Sequence, residues 1–218
     1  MSTIRENTER ILKELPSDVQ LVIAGKGRSI PELMEAIEGG AKIIGENYVQ
    51  DTEIAYAAIG NRVDWHFIGH LQKNKVKRAV ELSDMIETVD SAELAREINK
   101  RSAAINKIMP VLIEVNSARE ANKSGVLPEN IIALAGEITQ LPNIRLTGLM
   151  TMGASSSDPE AVRQYFALTR KLFEELKHSN LSNVEMKYLS MGMTDSYHIA
   201  LQEGANIVRI GTGIFISE

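Results

Sequence analysis

The chain has 218 residues, 44% hydrophobic and 24% charged, with a net charge of −5, four histidines and no cysteine. These values exclude disulfides, thiolate catalysis and cysteine-ligated metals. They show no clustered basic face for nucleic acid, no apolar run near the ~20 residues of a membrane span and no apolar secretory core at the N-terminus.

Ile4, Ile11, Leu12 and Leu15 predict an amphipathic N-terminal helix stopped by Pro16. Short apolar runs then alternate with amphipathic stretches. The runs are 21–24, 42–44, 64–68, 85–88, 109–115, 144–150, 184–189 and 206–210. Helical patterns lie between them at 31–38, 48–58, 74–82, 91–104, 128–139, 158–176 and 194–203. Ser29, Ser91 and Asp158-Pro159 supply helix-start signals. Eight β/α units in this length predict a single (β/α)8 barrel domain, with an extra N-terminal helix, over residues 1–218. A doubly wound open sheet is the competitor, but no GxGxxG follows the first run.

In a barrel the functional residues lie just after the strands, at the carboxyl face. Lys26 occupies the first exit, in Gly25-Lys26-Gly27. One reading is a snorkelling lysine. The other is an amine held in a partly dry cavity, its pKa lowered so that it attacks a carbonyl. The last two exits, Ser190-Met191-Gly192 and Gly211-Thr212-Gly213, fall where barrels commonly hold a phosphate, with Thr194 or Asp195 opening a helix toward it. Arg209 interrupts an apolar strand and needs a partner, either an acid such as Glu114 or a ligand heteroatom. Asn47 either binds a ligand oxygen or caps the next helix. His66 and His70 read as packed or hydrogen-bonded side chains, without metal spacing. Met150, Met152, Met191 and Met193 form either a soft wall or plain core. An attacking lysine opposite a phosphate site suits a Schiff-base aldolase or a pyridoxal 5′-phosphate (PLP) protein. Arg209 favours PLP, because an arginine at the pyridine nitrogen has a use there and none in an aldolase.

GENYVQ (45–50), WHFIGHLQKNK (65–75), VDS (89–91), KSG (123–125), GLMTM (148–152), SMGM (190–193) and RIGTGIF (209–215) resemble the pyridoxal phosphate homeostasis protein family, in order and over nearly the whole chain. The resemblance implies a barrel like the N-terminal domain of alanine racemase, with PLP held as an internal aldimine (Schiff base) on Lys26. It implies that Ser190, Met191, Gly192, Gly211 and Thr212 hold the phosphate, that Arg209 faces the pyridine nitrogen and that Asn47 lies near the ring. It also implies a cytoplasmic carrier or regulator in vitamin B6 homeostasis, without robust turnover. The expected partners are PLP itself and PLP-dependent apo-enzymes as recipients, with no nucleic acid or membrane; a monomer is expected. The chain departs from the family at its first exit, where GKGRS replaces an SKTKP-like sequence, and its N-terminal helix is short.

The alternative is a small PLP-dependent racemase. Racemisation needs proton transfer on both faces of a carbon. Only Ile216, Ser217 and Glu218 follow Phe215, so no second domain is expected to donate the other acid/base.

Overall fold

The computed structural model describes residues 3–154, 158–179, 181–182 and 184–216; Ser217 and Glu218 lie outside them. Among the described residues, eight parallel strands alternate with α-helices. The strands are β1 (Gln20–Ala24), β2 (Ile43–Glu46), β3 (Asp64–Phe67), β4 (Met85–Val89), β5 (Met109–Glu114), β6 (Ile144–Met150), β7 (Val184–Ser190) and β8 (Ile207–Ile210). The helices are α1 (Ile4–Glu14), α2 (Ile30–Glu38), α3 (Val49–Ile59), α4 (Val76–Leu82), α5 (Ala92–Ala103), α6 (Ile131–Ile138), α7 (Arg163–Lys177), α8 (Tyr197–Gln202) and α9 (Thr212–Phe215).

β1 pairs with β2 on one side and with β8 on the other, so the sheet closes and the open-sheet competitor is excluded. Closure sets the exits of β7, β8 and β1 side by side, although Lys26 and Thr212 are far apart in sequence. Most strands are buried on both faces and so read as apolar runs without alternation, whereas β7 exposes Glu185 and Lys187 and alternates. Outside the barrel, α1, α2 and α9 cover Leu21, Ile23, Val208 and Ile210. Inside it, Val22, Ile43, Ile68 and Ile207 form one small cluster and Met85, Leu112 and Met150 another; both pack against Tyr188.

Ser29 and Ser91 open their helices as expected, and Thr3, not among the expected signals, caps α1. Thr3 accepts from the Glu6 amide at 3.1 Å while Glu6 returns a bond to the Thr3 amide at 2.8 Å. Ser29 and Glu32 form the matching box at α2, and Ser91 accepts from the Leu94 amide at 3.3 Å. The helices expected from 128 and 158 open with 3-10 turns and become α-helical only at Ile131 and Arg163, and two boundaries near the barrel mouth also differ from expectation. β2 runs on through Gly45-Glu46, because Gly45 fits where a Cβ would strike Val22 Cγ1 at 2.6 Å and Ile68 Cδ1 at 2.8 Å. The expected helix at 194 begins only at Tyr197, because Met193 to Ser196 form a turn in which the Ser196 and Tyr197 amides both donate to the Met193 carbonyl.

Candidate cofactor site

Lys26 sits on a turn closed by the Arg28 amide donating to the Gly25 carbonyl at 2.9 Å, with Gly27 in the left-handed region at φ 70°. Arg28 stacks on the Phe215 ring of α9 at 4.7 Å, tying this turn to the end of β8. Lys26 itself is exposed, with its Nζ 5.7 Å from the centre of the Tyr48 ring. The partly dry cavity expected around it is therefore corrected. The turn carries the amine beyond the packed end of β1, free to reach a ligand in the mouth.

The exits of β7 and β8 meet in a cradle of donors. Thr194 and Thr212 place their hydroxyl oxygens 2.8 Å apart, and the Gly213 amide donates to Thr194 Oγ1 at 3.1 Å. Among the described residues, the amides of Thr194, Gly211 and Thr212 donate to no protein acceptor. Free amides beside hydroxyls suit an anion. Gly192 shapes the wall at φ 96°, where a Cβ would come within 2.6 Å of Ala200 Cβ and 2.9 Å of Tyr197 Cα. A groove of about 720 Å3, lined by Arg10, Thr194, His198 and Thr212 among others, runs beside the cradle. A second cavity of about 270 Å3 lies in the mouth, lined by Asn47, Ile68, Glu114, Met152 and Met193 among others.

Two expected phosphate ligands are placed elsewhere. Ser190 is fully buried, and its hydroxyl donates to Glu87 Oε2 and accepts from Arg209 Nη1, both at 2.6 Å. The Met191 side chain points outward into the layer between barrel and helices, and its amide donates to the Ile207 carbonyl at 3.1 Å. Strand alternation explains the pair: if Ser190 faces in, Met191 faces out. Met150 is likewise core, whereas Met152 and Met193 are exposed at the mouth. Asn47 lines the mouth and does not cap α3, which begins behind Tyr48 without a side-chain cap. Gly69 lies where a Cβ would be 2.6 Å from Asn47 Cα, which fixes the backbone there.

Arg209 is 3% exposed and projects into the barrel, donating to Ser190 Oγ and to the Thr151 carbonyl at 2.9 Å. Its ion-pair partner is Glu87, at 4.0 Å, rather than the expected Glu114. Burial pulls the Arg209 guanidinium below its ordinary pKa, opposed by the charges of Glu87 and Glu114. Burial alone would raise Glu87, but its bond to His66, the charges of His66 and Arg209 and its bond to Ser190 hold it low. Glu114 has no such hydrogen bond among the described residues; burial and the charge of Asp90 push it up to about 7, against the pull of Arg209.

Glu46, directed away from the barrel axis, packs under Gly25 with its Oε2 lacking any partner among the described residues. Burial and then the charge of Asp51 raise it to about 7, against an ordinary 4.5. Between those values folding takes up a proton, so stability falls as pH rises through the window and is level above it. Glu46→Gln removes that penalty. In urea unfolding its advantage over wild type is expected to grow from nothing near pH 4.5 to about 3 kcal/mol above pH 7; a constant difference across pH would contradict this.

The family model described as "Alanine racemase, N-terminal domain" matches residues 1–218. The chain belongs to the alanine racemase N-terminal domain family. A "Pyridoxal phosphate homeostasis protein" of Aquifex aeolicus is 41% identical over 196 residues, 88% of this chain and 85% of that protein. PipY of Synechococcus elongatus PCC7942, solved with PLP bound, superposes with a TM-score of 0.90 at 28% identity, covering 98% of this chain and all (100%) of that one. Alanine racemase of Clostridium difficile 630 shares the fold, with a TM-score of 0.82 at 15% identity over 99% of this chain and 58% of that one. The family expected from GENYVQ, SMGM and RIGTGIF and the expected barrel therefore both hold.

The residues present suit such a cofactor. They offer an unencumbered amine at β1, a free-amide cradle for a phosphate at β7 and β8, and a buried guanidinium between these elements. The sequence reading missed Glu87 and left Thr194 as a helix opener. The signal for Glu87 was an acid inside the apolar run MIETV, as Arg209 is a base inside its own.

Proposed function

We propose that this chain binds PLP covalently through Lys26 and serves intracellular PLP homeostasis as one cytoplasmic, monomeric domain over residues 1–218. PLP-dependent apo-enzymes are its recipients. The observation that carries this reading is the convergence of Lys26, Arg209 and the Thr194–Thr212 cradle on three adjacent strand exits. The names of the relatives support it.

When bound, PLP supplies an aldehyde that condenses with an amine, with loss of water. Lys26 supplies that amine at Nζ. Thr194, Thr212 and the free amides of 194, 211 and 212 hold the phosphate, with Gly192 shaping the wall beside them. Arg209 presents an N–H to the pyridine nitrogen. A guanidinium there would donate and could not accept a proton, which would suit holding the cofactor over using it. Asn47 borders the ring from the β2 side. The chain has no membrane role in this reading, and among the described residues no helix is long and apolar enough to cross one.

The test is an amino-acid panel assayed for racemisation and transamination against free PLP. Rates within about tenfold of free PLP are expected, whereas sustained turnover a thousandfold above it would establish the small racemase instead.

A further inference from the structure

Beneath the mouth lies a connected set of buried side chains, of which only Arg209, at one end, faces the proposed cofactor. His66, Glu87, Ser190 and Arg209 project inward from β3, β4, β7 and β8, none more than 5% exposed. Glu87 uses both oxygens: Oε1 lies 2.6 Å from His66 Nδ1, and Oε2 accepts from Ser190 Oγ. An ionised carboxylate only accepts. The Ser190 hydrogen is therefore committed to Glu87, leaving a lone pair for Arg209 Nη1, and His66 must carry its hydrogen on Nδ1. Glu114 on β5 is the other acid within electrostatic reach of Arg209, but no hydrogen bond joins them among the described residues.

We propose that Glu87 is the positioning residue for Arg209, orienting the guanidinium through Ser190 and supplying the buried negative charge that tunes a lysine-bound cofactor above it. This rests on the PLP reading and adds a residue to it. The floor of the site is then a polarity-ordered chain, His66 to Glu87 from one side and Arg209 to Ser190 to Glu87 from the other. Its direction is fixed because a carboxylate terminates both arms. Arg209 is not simply a buried base that found an acid: the Thr151 carbonyl holds one end of the guanidinium, and at the other a hydroxyl spacer keeps the two charges 4.0 Å apart.

Two substitutions separate charge from geometry. Glu87→Gln can keep every bond, its carbonyl accepting from Ser190 and its amide donating to the other His66 tautomer, while the charge is lost. Ser190→Ala keeps both charges but removes the spacer, so the guanidinium draws down toward Glu87. The experiment records absorbance of PLP-loaded protein from pH 5 to 10, with thermal melts confirming the fold. Each variant is also measured in a Glu114→Gln background, because Glu114 titrates in the same range.

Loss of a nearby negative charge disfavours a protonated chromophore, so Glu87→Gln is expected to lower the titration midpoint by about one pH unit. Ser190→Ala is expected to raise it, as positive charge retreats. If wild type forms no lysine-bound chromophore, the PLP reading fails and this inference with it. If wild type forms one and both variants titrate with it, the PLP reading stands and the role of Glu87 is overturned. Should Glu87→Gln fail to fold, Ser190→Ala decides alone: an upward shift supports the proposal and an unmoved midpoint ends it.

Discussion

Lys26→Ala is expected to leave a folded protein that has lost the chromophore of lysine-bound PLP entirely, yet still binds the cofactor weakly. The fold should tolerate the change because Lys26 is exposed and contacts little beyond the Tyr48 ring. Surface substitutions of this kind stay within about 0.5 kcal/mol. Binding persists because the hydroxyls of Thr194 and Thr212, the free amides and Arg209 are untouched. Without the covalent link, affinity should fall by about a hundredfold or more, roughly 3 kcal/mol. Equilibrium dialysis with PLP measures it, beside spectra of both proteins. A variant that retains the lysine-bound spectrum would remove Lys26 from the site and move the covalent anchor to another amine.

The largest effect on the fold is expected from Gly148→Ala. Gly148 pairs with Tyr188 across β6 and β7, close to an irregularity in their register. A Cβ at 148 would lie 2.7 Å from the Tyr188 carbonyl carbon and nearer still to its oxygen. The obstacle is backbone, which has no rotamer to turn away. Tyr188 is also the side chain against which both interior clusters pack, so moving its strand disturbs the filling of the barrel. Overpacking of this kind costs about 3 kcal/mol or more. In a chain of this size that is a fall of about 10 °C in Tm. Gly136→Ala is the control: it lies in α6 with nothing within 4 Å of an added Cβ, and should stabilise by up to about 1 kcal/mol. Equal melting of the two variants would show that the close approach at 148 is relieved without strain.

The alternation of runs and helices is legible because strands covered on both faces are mostly apolar, with glycines and polar residues marking each exit. The same regularity located Lys26, Gly192 and the Gly211-Thr212-Gly213 exit. What escaped is set by closure and by pleat. Glu87, Ser190 and Arg209 become neighbours only when β4, β7 and β8 share one interior, and no local pattern states that. Nothing in SMGM says which residue faces in, so the sequence points to Ser190 as a phosphate ligand and Met191 as its companion, whereas one is interior and the other core. TDSYH carries start signals that point to Thr194 as a helix opener, although a turn holds it against Thr212 instead. α9 is four residues long within RIGTGIF and has too few positions to show a period.

A covalent bond between this chain and an aldehyde cofactor forms, in the proposed function, at one lysine. Its most direct test is borohydride reduction of the wild-type protein after addition of PLP, followed by digestion and mass mapping of the labelled peptide. One stable pyridoxyl label is expected, on the peptide that contains Lys26. Label confined to other lysines, or none above that of an unfolded control, would contradict it.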